Sequence, residues 1–138
     1  MDMSTDVRQD PLAFYLDKSD PAAWKAVGGL ALAAKNAARK AGLDDQLVEL
    51  VNLRISQING CAYCLEVHTR QGIDAGLDSQ RLGLLAAWRE AEEDQHVSQL
   101  MSHHVLTDEQ YSAVQWLAIT MNVTNRISIL SHHPVRRR

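Results

Sequence analysis

Residues 53–64 decide the fold of this chain, and they read LRISQINGCAYC. Apolar residues at helical spacing lead up to Gly60, which is a typical helix stop. Cys61 and Cys64 follow directly and are the only two cysteines in the chain. Because residues three and four apart share a helix face, a helix that starts near Cys61 places both thiols and His68 on one stripe. Two thiols and an imidazole within eight residues predict a redox site.

The rest of the chain also has helical periodicity, and no segment has the alternation of a strand. Asp20-Pro21 and the capping-box pattern that starts at Thr107 mark two helix starts. The predicted fold class is all-α, a compact bundle of five to seven helices. Its main helices are expected at about 21–42, 44–59, 61–75, 79–91 and 108–130. Residues 1–19 are expected to be irregular, and 92–106 to form a loop or short helix.

Length and composition limit the classes of function. A chain of 138 residues is one domain, with 1–19 and 131–138 as peripheral segments. A net charge of −3 without a basic patch argues against nucleic-acid binding. No apolar run is long enough to span a membrane, and the N-terminus lacks the apolar region of a secretory signal. We therefore expect a cytoplasmic protein, where a close cysteine pair is more often catalytic or metal-binding than structural.

The chemistry depends on making one thiol a thiolate. Both cysteines lie in the predicted first turn of a helix, where the helix dipole favours negative charge. His68 lies one turn beyond Cys64 and can accept or return a proton. Glu49 lies on the preceding helix, in a polar arc that also holds Asn52, Ser56 and Asn59. A carboxylate bonded to the imidazole would orient it. Attack by one thiolate and resolution by the other thiol would then give a disulfide.

At these residues the chain resembles the alkylhydroperoxidase D-like, carboxymuconolactone decarboxylase superfamily. The pattern E-x11-C-x-x-C-x3-H from Glu49 to His68 carries the resemblance, together with residues 53–64 and 84–91. It implies an all-helical fold assembled as homotrimers or homohexamers. It also implies a thiol-based peroxidase or disulfide-exchange activity.

Carried over by position, the resemblance makes Cys64 peroxidatic and Cys61 resolving, with His68 and Glu49 as the proton relay. The expected partners are a hydroperoxide substrate and a thiol reductant, and no cofactor or metal is predicted. The chain departs from the pattern at Tyr63, where the best-studied peroxidase members carry a histidine. Tyr63 could supply a hydroxyl as an auxiliary donor, or serve only in packing.

Other interpretations stay open at this point. The cysteines could be two buried small side chains, or they could bind zinc together with His68 and a fourth ligand. Glu49 could belong to a solvated face. The protein could be a non-enzymatic helical oligomer that senses redox state, or a protein disulfide reductase. The histidine pairs His103-His104 and His132-His133 are expected in a solvated loop and tail.

Overall fold

A computed structural model describes residues 14–88 and 106–135, and every regular element in these two stretches is helical. The α-helices are α1 (Leu16–Ser19), α2 (Pro21–Lys40), α3 (Asp45–Asn59), α4 (Ala62–Asp74), α5 (Ser79–Leu84) and α6 (Asp108–Leu130). A short 3-10 turn over Leu85–Ala87 follows α5. The all-α prediction is confirmed. Nearly all of the segment expected as a loop at 92–106 lies outside the described residues.

The helix starts depend on local side chains. The carboxylate of Asp44 accepts a hydrogen bond from the backbone N–H of Leu47 at 2.8 Å and caps α3. At the start of α6, Thr107 and Gln110 exchange side-chain to backbone bonds of 3.2 Å each, which is a complete capping box. These groups satisfy backbone donors that have no partner within the helix. The predicted starts of both helices are confirmed.

Two boundary predictions are wrong. The helix expected at 79–91 leaves α-helical geometry at Leu84, and the chain continues in the tighter 3-10 turn. Gly83 weakens this helix, and Leu85, which is only 1% exposed, packs into the apolar cluster beneath α3. The segment expected to be irregular up to residue 19 contains the single helical turn α1. Its Leu16 N–H donates to the hydroxyl of Ser131 at 3.1 Å, which fixes this turn against the end of α6.

The central helix is α3, because it contributes to both apolar clusters of the described chain. One cluster joins α3 to α2 and α6 through Ala34, Ala38, Val48, Val51, Ala113, Val114 and Leu117. The other joins α3 to the α4–α5 connection and the 3-10 turn through Leu50, Leu53, Leu77 and Leu85. Burial of these side chains is the main stabilising term for such a bundle. The packing holds α3 between α6 and α4.

The polar arc of α3 faces inward. Glu49, Asn52 and Ser56 are 8%, 7% and 0% exposed, whereas Ile58 on the same helix is 61% exposed. Buried polar groups are stable only when they are hydrogen-bonded, so this arc must find partners on the neighbouring helices. Those partners define the candidate site.

Candidate redox site

A sharp corner between α3 and α4 brings the two cysteines into place. Gly60 ends α3 in the left-handed conformation, with φ of 69°, which glycine adopts without a steric cost. The N–H of Cys61 then donates back to the carbonyl of Ser56 at 3.1 Å. Cys61 itself becomes the N-cap of α4, and its Sγ accepts from the N–H of Cys64 at 3.3 Å. Both sulfurs therefore lie at the positive end of the α4 dipole.

Cys61 and Cys64 are joined by a disulfide across this first turn, with their Cα atoms 5.3 Å apart. Cys61 is 1% exposed and Cys64 is 5% exposed. The structure thus shows the oxidised form of a CxxC pair at a helix N-terminus. Because both sulfurs are buried, a small molecule can reach the pair more easily than a second folded protein can.

Glu49 and His68 form a short, buried pair between α3 and α4. The Nδ1–H of His68 donates to Oε2 of Glu49 at 2.7 Å, and the two side chains are 15% and 10% exposed. An ionised carboxylate only accepts hydrogen bonds, so this contact places the proton on Nδ1 and leaves Nε2 available. Glu49 does not lie on a solvated face. It orients the imidazole one helical turn beyond Cys64.

A cavity of about 270 Å³ opens beside this pair between α2, α3, α4 and α6. We call it the site cavity. Cys64 lines it together with Glu49 and His68, and Cys61 does not. Its other walls are Trp24, Ala31, Lys35, Val48, Asn52, Tyr63, Val67, Gln71, Leu117, Thr120, Met121, Thr124 and Ser128. The two sulfurs are therefore inequivalent with respect to this cavity, because Cys64 lines it and Cys61 does not.

Tyr63 lies between the cysteines in sequence and contacts a histidine from the other end of the chain. The ring centroids of Tyr63 and His133 are 5.2 Å apart, and Tyr15 stacks on the same imidazole at 5.2 Å. Nε2 of His133 contacts Oδ1 of Asp17 at 3.3 Å, and its Nδ1 lies 3.4 Å from the hydroxyl of Ser128. We call Tyr15, Asp17, Tyr63 and His133 the aromatic clamp.

The prediction of a solvated tail at His132-His133 is therefore wrong for His133. After α6 the chain turns through His132, whose φ is 53°. His132 N–H donates to the carbonyl of Ile129, and His133 N–H to that of Ser128, at 3.2 Å and 3.1 Å. This is the Schellman arrangement that usually carries glycine at its left-handed position. The turn directs His133 onto Tyr63. The other predicted pair, His103-His104, lies outside the described residues.

Sequence reasoning also missed Asn125, which is fully buried between α6 and α3. Its Nδ2 donates to the hydroxyl of Ser56 at 3.1 Å, and its Oδ1 accepts from Asn59 at 3.0 Å. Asn59 also donates to Asn122 at 2.8 Å. The signal available in the sequence was two asparagines, Asn122 and Asn125, which are three residues apart and therefore share one face of the helix. This network supplies hydrogen-bond partners for Ser56 and Asn59, the C-terminal residues of the α3 polar arc.

Neither a metal nor a membrane site emerges from the described parts of the chain. Residues 14–88 and 106–135 contain no cluster of three or more histidine, cysteine or acidic side chains arranged to hold a metal ion. Among the described helices, none has the length and apolar character that a membrane span requires.

Comparison with known proteins agrees with this geometry. The sequence profile of the carboxymuconolactone decarboxylase family matches residues 21–94, which is more than half of the chain. The chain belongs to the carboxymuconolactone decarboxylase family. The matched stretch contains α2 to α5 and thus all five residues of the predicted site, Glu49, Cys61, Tyr63, Cys64 and His68. The sequence-based resemblance to this superfamily is confirmed.

Two further comparisons identify a related sequence and a similar solved structure. Over 103 residues it is 31% identical to YdfG, an uncharacterized protein of Bacillus subtilis (strain 168), covering 59% of this chain and 70% of YdfG. Its fold is similar to the crystal structure of a protein of unknown function from Agrobacterium tumefaciens, described there as a candidate antioxidant-defence protein AhpD. That match has a TM-score of 0.75 and 24% identity, and it covers 92% of this chain and 99% of the other. The second likeness establishes the AhpD-type fold.

Proposed function

We propose that this protein is a thiol-dependent peroxidase that reduces organic hydroperoxides through its CxxC pair. The observation that carries the proposal is the cavity position of one sulfur. Cys64 shares the site cavity with the hydrogen-bonded Glu49–His68 pair, while Cys61 lies behind it. A peroxide in the cavity would therefore meet one sulfur and one imidazole together.

In the first step, His68 Nε2 accepts the proton of the Cys64 thiol. The thiolate attacks the terminal peroxide oxygen, the O–O bond breaks, and the sulfur becomes a sulfenic acid. The departing alkoxide takes a proton from the imidazolium and leaves as an alcohol. Glu49 accepts from Nδ1 throughout, so it stabilises the positive charge that forms on the ring. The α4 N-terminus stabilises the thiolate.

In the second step, the thiol of Cys61 attacks the sulfenic sulfur of Cys64. A disulfide forms and one water molecule leaves with the Cys61 proton and the sulfenic hydroxyl. This product is the bond present in the structure. An external dithiol then reduces it by exchange, giving back two thiols and an oxidised dithiol. We propose a cytoplasmic location, because such reductants are maintained there.

Tyr63 is proposed as an auxiliary residue. It lines the site cavity beside Cys64, which supports a role for its hydroxyl toward a bound peroxide, and its ring contacts His133 within the aromatic clamp. The near-complete burial of both sulfurs favours a small peroxide over a folded protein disulfide as the oxidant. We also propose a homotrimer or homohexamer. Leu32, Trp116 and Ile119 are exposed by 61%, 48% and 46%, which is typical of a surface covered in an assembly.

The test is a single-turnover experiment with the reduced protein and one equivalent of cumene hydroperoxide. We expect the wild type to lose two hydrogens in mass, because both thiols are consumed in one disulfide. Cys61→Ser should still reduce one equivalent and stop at a sulfenic acid, which dimedone traps. Cys64→Ser should consume no peroxide above the uncatalysed rate. Equal consumption by Cys64→Ser and the wild type would refute the proposal.

The same preparations distinguish the redox-sensor alternative. A sensor would form the disulfide slowly and without turnover, whereas a peroxidase consumes many equivalents when a dithiol reductant is supplied. We expect sustained consumption by the wild type and none by Cys64→Ser. Cys61→Ser should consume its first equivalent and continue only as fast as the external dithiol reduces the Cys64 sulfenic acid directly. Light scattering of the same samples measures the subunit number, and a monomer would refute the proposed assembly.

A further inference from the structure

The site cavity is long enough to hold a substrate that extends well beyond its hydroperoxide group. On α2 the cavity wall runs from Trp24 to Lys35, and on α6 from Leu117 to Ser128. Each of these spans is eleven residues, or about 16 Å at the helical rise. The cavity is therefore an elongated space that follows two helices.

Most of the surface that lines the site cavity is apolar, although α6 also contributes Thr120, Thr124 and Ser128. The hydroxyls of Thr120 and Thr124 donate to backbone carbonyls of α6 itself. Ala31, Val48, Leu117 and Met121 contribute aliphatic and thioether surface, and Trp24 lies at one end. The polar groups of the redox site occupy one side, on α3 and α4. An apolar chain can thus lie along α2 and α6 while a polar group on it faces His68 and Cys64.

One cationic side chain lies on this wall. Lys35 lines the cavity at the α2 end opposite Trp24, and its own side chain is exposed. In the part of the chain that the structure describes, Lys35 makes no ion pair or hydrogen bond, whereas Glu49 is already bonded to His68. Its ammonium group can therefore meet an anion from outside without first breaking a contact.

From these observations we infer that the substrate is a hydroperoxide with an extended apolar chain and a terminal carboxylate. Lys35 pairs with the carboxylate, and the chain lies along α2 and α6. The inference rests on the proposed peroxidase function for the reacting group, but the binding of the chain rests on the cavity alone. Lys35 is a specificity residue and not a catalytic one, because it would contact the far end of the substrate.

The binding part of the inference is tested without turnover. Isothermal titration calorimetry measures the affinity of the reduced protein for dodecanoate and for dodecanol. We expect dodecanoate to bind the wild type about threefold to fivefold more tightly, since an exposed ion pair supplies a contribution of this size. Lys35→Gln should remove that preference and Lys35→Arg should retain it. Lys25→Gln, on the same helix but outside the cavity wall, is the matched control and should behave as wild type.

A steric variant tests the placement of the chain. Ala31→Phe introduces a ring into the middle of the cavity wall and should remove saturable dodecanoate binding. Ala33→Phe places the same ring on α2 outside this cavity and should bind as wild type. If Ala31→Phe binds dodecanoate normally, or if Lys35→Gln keeps the full preference for dodecanoate over dodecanol, the inference is wrong.

The turnover half compares the hydroperoxide of an unsaturated fatty acid with that of its methyl ester. We expect the acid to be favoured by about threefold to fivefold in kcat/KM by the wild type, and equally used by Lys35→Gln. The preference should fall at high salt. Reduction of acid and ester at equal rates by the wild type would overturn this inference and leave the peroxidase intact. Lys35-dependent dodecanoate binding without reduction of any hydroperoxide would support the binding site and refute the peroxidase.

Discussion

Replacing Glu49 by glutamine isolates the contribution of one charge to the proposed relay. Glutamine has nearly the same shape, and its Oε1 can still accept from Nδ1 of His68. The exchange therefore keeps the 2.7 Å contact and removes only the negative charge. In the wild type, this charge stabilises the imidazolium that forms when His68 takes the Cys64 proton. In Glu49→Gln, that stabilisation is reduced to a neutral hydrogen bond.

The size of the effect follows from the burial of the pair. A hydrogen bond to a charged group contributes about 1.5–3 kcal/mol and a neutral one about 0.5–1.5 kcal/mol, so the difference is about 1–1.5 kcal/mol. Both side chains are at most 15% exposed, so solvent screens this difference little. Since about 1.4 kcal/mol corresponds to a factor of ten, Glu49→Gln should slow the attack on peroxide roughly tenfold.

Stopped-flow mixing of reduced protein with hydroperoxide, under single-turnover conditions, measures this step directly. The control is Glu66→Gln, which removes an acid from a partly exposed pair with Arg70 at 3.3 Å on the same helix as His68. That pair lies outside the site cavity, so the control should react at the wild-type rate. Thermal unfolding checks that both variants are folded. If Glu49→Gln reacts within twofold of wild type, or if Glu66→Gln slows as much, the relay is wrong.

Further predictions concern the stability of the fold, each measured by urea unfolding. His132→Gly should raise the free energy of unfolding by about 1 kcal/mol, because glycine relieves the left-handed backbone at that turn, and an unchanged or lower value would contradict this. His133→Ala should lower it by about 1 kcal/mol, because the imidazole that contacts both Tyr15 and Tyr63 is removed. An unchanged value would mean that the aromatic clamp contributes nothing to stability. Asn125→Ala should lower it by about 1–3 kcal/mol, since Ser56 and Asn59 lose a buried partner. Reduction of the disulfide should lower it by about 2 kcal/mol, the small loss expected for so short a loop, and a reduced protein that unfolds would exclude a catalytic cycle.

The helix ends of this protein were predictable because their signals are local. Asp44 and Thr107 cap with their own side chains, and Gly60 supplies a backbone conformation that few other residues adopt. None of these signals needs a partner from elsewhere in the chain. The end of α5 was mispredicted because a distant contact decides it. Leu85 follows the apolar cluster beneath α3 and not the periodicity of its own segment.

The helical period of α3 does not reveal which of its faces is buried. Helical spacing places Glu49 and Ser56 on one arc, but it does not say whether that arc faces solvent. The answer lies with partners far along the chain, His68 for Glu49 and Asn125 for Ser56. The same reason explains His133. A histidine near the C-terminus resembles a solvated tail until a left-handed turn directs it onto Tyr63.

The two halves of the buried α3 arc differ in what they can hold. Ser56, Asn59, Asn122 and Asn125 form a network of hydroxyl and amide groups that stay neutral at any moderate pH. The Glu49–His68 pair can carry charge. A peroxidase cycle creates a thiolate and an imidazolium and then removes both. The electrostatic field around α3 therefore changes at each turnover. Because the amide network gains or loses no proton, the contact between α3 and α6 can stay the same while the charges beside α4 change. A site cavity bounded by both helices would then keep its shape through the cycle.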